Sequence, residues 1–488
     1  MSTGKKIIGS IILASTLWAG MTAYISSNTE EYLKNYITKT NTLYNNNGMT
    51  VSLLSFDKDF LSSNAKISID FIDPNMRKEL QNILKLPMVM DYNIENGPLF
   101  FKDGFSIGAS KVNSSVNVND LLVNKEDIKT FIKDDIVVNT SMLVGFNNQA
   151  SYTGESNTIV ANIDEDIFTI SPLKLNGEMN MKTFIGNFKV LISSISGKLE
   201  NKGKIKLEEL TLNTNITKFF DNGFYLGDFD FTIDKFNVRN PNFPQEIKNA
   251  SVNVAMNIDQ NSSDLVNMNF GIKLKVGETE LPKEYDFLKK FTVNYGIDGA
   301  KLKGLLAFQD VVKDIQTDQQ AILEKLTHAT TDDEKMAIFD EMQKSQEALE
   351  DKLVLLVSDF LVKEKTTLNV ETIITDKSDI DSNAKFNVTY IGDETLPKTA
   401  KELSEKFKQE LLNWVKLNIN VEVQKSLVDK LPKELQQQLA MAMMTGMLKD
   451  NNSSYSFDAN YVPKKLTVNG EDKSDMLMLV EMGLQSGI

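Results

Sequence analysis

The chain has 488 residues, 41% hydrophobic and 25% charged, which suits a folded protein with ample core and excludes wholesale disorder. Its 67 acidic residues outweigh 53 basic ones for a net charge of −14, so phosphate backbones repel it and nucleic acid is not an expected partner. It has no cysteine, which excludes disulfides, thiolate metal sites, a cysteine nucleophile and lipid attachment at cysteine.

Residues 7–25, IIGSIILASTLWAGMTAYI, form a run of 19 residues without a charge. That length suits a hydrocarbon core of roughly 30 Å. Lys5 and Lys6 precede the run, while Glu30 and Glu31 follow it. The positive flank stays cytoplasmic and the body is exported. Small residues near Ala19, Gly20 and Ala23 raise the rival reading of a cleaved signal peptide, but no clean A-x-A closes the segment. We read it as an uncleaved signal anchor. The next stretch, EEYLKNYITKTNTLY (30–44), repeats apolar pairs at helical spacing and reads as a short stalk helix packing on the body.

Most of the following 250 residues alternate. In VNMNFGIKLKV (266–276), Val266, Met268, Phe270, Ile272, Leu274 and Val276 point one way and Asn, Gly or Lys the other. A period of two predicts antiparallel strands with one buried and one wet face. Similar runs stand at Ile67/Ile69/Phe71, Phe229/Phe231/Ile233, Val252/Val254/Met256/Ile258, Leu368/Val370, Phe386/Val388/Tyr390 and Tyr455/Phe457/Ala459/Tyr461. The apolar phase slips between Leu207 and Leu210 and again between Ile233 and Phe236, which predicts β-bulges and curved sheets. Asn176-Gly177, Asn222-Gly223 and Asn469-Gly470 supply turn chemistry.

Residues 311–363 read as a helical hairpin, with Thr331 and Glu334 forming a T-x-x-E capping box at the second helix. Residues 398–449 are mostly helical, with Pro432 at a helix start and LNINVEV (417–423) as a short strand between helices. The expected fold is α+β: large curved antiparallel β-sheets with a helical hairpin insertion and C-terminal helices, preceded by one N-terminal transmembrane helix. The expected division is 1–25 anchor, 26–310 β-rich domain, 311–363 helical hairpin, and 364–488 a mixed α/β region packing on the β-rich domain.

Four motifs bear on chemistry. Gly104-Phe105-Ser106-Ile107-Gly108 matches the G-x-S-x-G of serine hydrolases. A nucleophile elbow needs a helix after the serine, but ASKVNSSVNV (109–118) has strand or loop composition. The single histidine, His328, is the only imidazole base, and it cannot make a histidine-rich metal site. We read Ser106 as a strand serine. The stretch DIDSN (379–383) resembles a calcium loop, but Ala384 and Tyr390 stand where Gly and Glu are needed, so a hairpin turn is expected. GKLENKGK (197–204) fails as a phosphate loop, its glycines being too far apart and Ile205 replacing Ser/Thr. The stripe of Met441, Met443, Met444 and Met447 is read as core in preference to an adaptable binding face. No catalytic, cofactor-binding or metal-binding residue is assigned, and no cofactor is expected.

Five segments carry a family resemblance: LWAGMTAYISSNTEEYLKNYI (17–37), MTVSLLSFDKDFLSSNAKISI (49–69), IENGPLF (94–100), GFYLGDFDFTIDKF (223–236) and FDANYVPKKLTVNG (457–470). Together they resemble the YdgA-like family of bacterial envelope proteins, a domain-of-unknown-function family. That family usually carries His before Gly-Pro, where this chain has Asn96. The resemblance implies an inner-membrane protein of Gram-negative type, single-pass, with its N-terminus in the cytoplasm and its body in the periplasm; it supplies no activity. The leading expectation is therefore a non-enzymatic binding or assembly factor for an apolar ligand such as a lipid, or for an envelope partner. The alternative is a periplasmic hydrolase acting on an envelope component.

Overall fold

The computed structural model describes residues 33–34, 37–38, 40–41 and 49–477, apart from 59–61, 73, 97–98, 102–103, 125–128, 133, 164, 200–202, 221–223, 241–244, 283–284, 309–310, 312–321, 323–324, 327–328, 330, 393–395 and 432. The expected anchor at 7–25, His328 and most of the first arm of the expected helical hairpin lie outside these residues. Among the described residues no helix is long and apolar enough to cross a membrane. The architecture is mostly antiparallel β-sheet with some helices, an α+β arrangement. The chain divides into two compact units, one comprising 1–253 and 277–279, the other 254–276 and 280–488.

The strands of the first unit are β1 (Met49–Lys58), β2 (Ser62–Phe71), β3 (Met88–Asn96), β4 (Leu99–Phe100), β5 (Ser106–Ile107), β6 (Ser110–Asn117), β7 (Val137–Val144), β8 (Gln149–Ser156), β9 (Ile159–Ile163), β10 (Asp166–Ile170), β11 (Leu173–Asn180), β12 (Gly186–Lys198), β13 (Lys204–Phe219) and β14 (Tyr225–Arg239). A short helix, α1 (Pro74–Leu80), joins β2 to β3. Pairing runs β1–β2–β3–β6–β7–β8–β11–β12–β13–β14, antiparallel throughout. The β9–β10 hairpin pairs with the end of β12 beyond the reach of β11. This order follows from short turns between strands that alternate apolar and polar residues.

The core of this unit lies on one face of the sheet. Ile69, Ile94, Leu122, Met142, Val51 and Val112 are fully buried in it. Leu33 and Ile37 of the expected stalk are helical and enter the same core. One turn on, Asn41 clasps the edge of β1: its amide donates to the Val51 carbonyl at 2.8 Å and its oxygen accepts from the Val51 N–H at 2.7 Å. The side chain thus satisfies one donor and one acceptor of an edge strand, which otherwise invites unwanted pairing.

The two phase slips prove to be one feature. No residue is inserted at the first: Glu208 faces Lys235 and Leu210 faces Ile233, so the expected bulge there is corrected. Glu209 instead takes a positive φ of 52°, and this left-handed residue resets the alternation. Asp234 lies across from it, which is why both strands slip together. A register shift does occur farther along, between Ile216 and Lys218, opposite Gly227. Gly227 has φ 143°, and a Cβ there would lie 1.8 Å from the Asn215 carbonyl oxygen, so only glycine fits.

β15 (Ile247–Gln260) passes from one unit to the other. The second unit contains β16 (Leu265–Lys275), β17 (Leu288–Lys301), β18 (Thr367–Asp376), β19 (Asp381–Tyr390), β20 (Val415–Gln424), β21 (Lys449–Asn451), β22 (Ser454–Val462), β23 (Lys465–Val468) and β24 (Glu471–Asp472). Pairing runs β16–β17–β18–β19–β20–β22–β23–β24, with β21 also on β22. The expected strand at 417–423 is β20. Its helices are α2 (Asp332–Phe360), α3 (Ala400–Trp414), α4 (Lys425–Val428) and α5 (Lys433–Met444). The capping box opening α2 is present: Glu334 N–H donates to Thr331 Oγ1 at 3.3 Å, and Thr331 N–H to the Glu334 carboxylate at 3.0 Å. α3 docks on α2, its Ala400 N–H donating to Asp351 at 2.7 Å.

Candidate functional site

The second unit's sheet separates its chemistry by face. The register aligns Phe270, Tyr295, Val370, Phe386, Ile419, Ala459 and Val468 in one row across seven strands. Beside it lie Met268, Ile297, Leu368, Val388, Leu417, Tyr461 and Leu466, and on the other side Ile272, Val293, Thr372, Ala384, Val421 and Phe457. None of these side chains is charged. Such rows exist because each strand carries uncharged, mostly apolar residues at every second position, and hydrogen bonding locks that phase between neighbours.

A sheet face of this composition ordinarily packs against a second layer. Here much of it does not. Tyr295 is 48% exposed, Leu368 41%, Phe270 and Phe386 37%, and Ile272 and Leu274 36%. The sequence predicted this face to be buried, and the structure corrects that. Among the described residues, helices meet this sheet at its margins: the Tyr461 hydroxyl donates to the Leu412 carbonyl of α3 at 2.8 Å, and Leu427 and Val428 of α4, which directly follows β20, are buried. Strands spaced about 4.8 Å apart make the rows on β16–β20 roughly 19 Å wide, and three rows about 7 Å apart make them roughly 14 Å deep; the exposed members lie on β16–β19. At about 75 Å² for each of six half-open side chains, the exposed apolar surface is roughly 450 Å², within the range of about 300–600 Å² of a protein's largest and often functional patch.

The opposite face carries amides and ion pairs, several of which satisfy one another. Asn418 donates to Asn460 at 2.5 Å, Asn369 to Asp298 at 2.6 Å and Asn294 to Glu371 at 3.1 Å, while Asn420 donates to Asp458. Lys385 pairs with Glu371 at 2.9 Å. The Lys385 hydrogen bond is the main cause that holds the Glu371 carboxyl below its usual range, with desolvation opposing it and Asn294 assisting.

The sequence-predicted candidates fall elsewhere. Ser106 sits in β5, opposite Phe100 of β4, and the chain continues through a bend at Gly108 into strand β6. A strand–bend–strand path does not form a nucleophile elbow. Its Oγ is buried without a hydrogen-bond partner among the described residues. What the motif builds is an apolar hairpin: Leu99, Phe101, Phe105 and Ile107 are exposed, and the two phenylalanine rings lie 5.6 Å apart. The 379–383 stretch ends a hairpin turn and opens β19. Asp376 accepts from the Ser378 and Ile380 N–H groups at 2.8 and 3.0 Å, Lys289 donates to Asp379 at 2.5 Å, and Thr375 donates to Asp381 at 2.6 Å. The 197–204 stretch joins β12 to β13 with Leu199 N–H donating to the Gly203 carbonyl at 3.0 Å. The expectation that the methionine stripe is core is corrected in part. Met443 shares the half-buried side of α5 with Leu439, and Met447, beyond the helix end, is half-buried too, whereas Met441 and Met444 face solvent. Two of the four methionines therefore fall outside the half-buried positions.

Comparison with known proteins identifies a family. The profile of the bacterial proteins of unknown function DUF945 matches residues 5–474, and the chain belongs to that family. Neither curated proteins nor solved structures give a match.

Proposed function

We propose that this DUF945 protein is a membrane-tethered envelope protein whose second unit holds the acyl chain of a lipid against the open apolar rows of β16–β20. In this reading it is YdgA-like, with segment 7–25 as a single-pass anchor in the inner membrane and the body in the periplasm. The carrying observation is the uncharged face centred on Phe270, Tyr295 and Phe386, which no second layer covers among the described residues. Its reach of about 14–19 Å matches the depth of one leaflet, half of a hydrocarbon core roughly 30 Å thick. An anchor would keep that face within reach of lipid. Native mass spectrometry of the full-length protein from a mild detergent tests the reading. It expects a co-purifying phospholipid or fatty acid that is lost when Tyr295 and Phe386 are both changed to Thr. Lipid retention unchanged by the pair would refute it.

The β4–β5 hairpin favours a second reading, an apolar docking point for an envelope partner, because four large apolar side chains cluster on a two-stranded projection. The double change Phe101→Ser and Phe105→Ser would then abolish a cross-linked protein species without altering lipid retention. An unchanged cross-linking pattern would rule it out.

A further inference from the structure

On the first unit, four neighbouring strands form a polar trough of about 660 Å³. The register sets two rows side by side. One is Asn113 (β6), Ser141 (β7), Thr153 (β8) and Asn176 (β11); the other is Ser115, Asn139, Glu155 and Lys174 on the same strands. Alternation puts both rows on the face away from the core, since Val138, Thr140, Met142, Tyr152 and Leu175, at alternate positions on the same strands, are buried.

What distinguishes the trough is how its polar groups are spent. On the second unit's polar face, Asn294, Asn369, Asn418 and Asn420 all give their amides to neighbouring side chains. In the trough, Ser115, Asn139, Ser141, Thr153 and Asn176 have no side-chain hydrogen bond to any described residue, although cross-strand neighbours stand directly opposite them. Two amides and three hydroxyls are therefore open, each able both to donate and to accept. Asn139 and Asn176 lie two strands and one row apart, about 12 Å, one on either side of β8.

We infer that this trough binds a neutral saccharide chain. Three properties select that class. The ligand must offer closely spaced groups that donate and accept, as vicinal hydroxyls do. It must be uncharged, because Glu155 and Lys174 pair with each other at 3.7 Å and leave no net charge in the trough, while the chain as a whole carries −14 and repels polyanions. It is not an acyl chain, because the polar rows contain no large apolar side chain.

Calorimetric titration of the full-length protein tests this, in a detergent whose head group is not a sugar, with N-acetylated chitotetraose and cellotetraose as probes. Binding of at least one probe is expected, weakened about tenfold by Asn139→Ala and more by Asn139→Ala with Asn176→Ala. Both residues are exposed, so the thermal midpoint should stay unchanged and separate lost contacts from misfolding. Binding of neither probe at millimolar concentration would overturn the inference. So would binding that both substitutions leave intact. Because the trough and the apolar rows belong to different units, lipid retention in these variants reports separately on the acyl-chain site.

Discussion

Replacing Phe386 with Thr tests the acyl-chain site at its centre. Phe386 is 37% exposed in the middle row, between Val370 and Ile419. That fraction of an aromatic side chain is roughly 75 Å², area a bound chain would cover. At about 25 cal/mol per Å² its loss costs roughly 2 kcal/mol of binding, or about 20-fold in Kd. Thr is β-branched and keeps the strand preference of Phe, so the sheet should survive. The assay is displacement of a fluorescent fatty acid from full-length protein held in an amphipathic polymer. The reasoning predicts a 10- to 50-fold weaker Kd for Phe386→Thr, a similar loss for Tyr295→Thr, and no change for Asn387→Thr on the opposite face. Equal affinity in all three variants would refute it.

Three other outcomes follow from the packing and the charges. Ile94→Ala removes a fully buried side chain from the first unit's core and should cost about 2–5 kcal/mol, read as a lower denaturant midpoint; Phe386→Thr should shift that midpoint far less. Asn41→Ala deletes both bonds to Val51 and should destabilise β1 by about 1–3 kcal/mol, seen as faster amide exchange in Met49–Lys58. The Glu371 carboxyl has a folded pKa depressed chiefly by the Lys385 hydrogen bond. Its contribution to stability is therefore present above the ordinary glutamate pKa and lost as pH falls through the lower folded value. Lys385→Met should move the Glu371 titration upward by NMR; an unmoved titration would show that the pair does not govern it.

Much of the fold was legible because period-two alternation fixes a strand and its faces. Residues 266–275 and 417–423 lie in strands as read, and Thr331 with Glu334 caps α2 through two hydrogen bonds. The slip at Leu207–Leu210 was visible, but alternation cannot tell an inserted residue from a left-handed one. Only the register shows Glu209 taking that role across from Asp234. The candidate site was legible in composition and not in burial. Alternation shows that Phe270, Tyr295 and Phe386 share a face, but whether another layer covers that face depends on distant segments. The trough was illegible for a related reason: Asn139 and Asn176 stand 37 positions apart and meet only through β8. The serine motif misleads because G-x-S-x-G is short, and here it builds an apolar hairpin.

The central claim is that lipid occupies the apolar face of β16–β20. A photo-reactive amino acid placed at Phe386 or at its neighbour Asn387 in living cells separates the faces by a single residue. The account predicts an adduct with the mass of a lipid at position 386 and none at 387. Equal labelling at both positions, or protein adducts alone at 386, would contradict it.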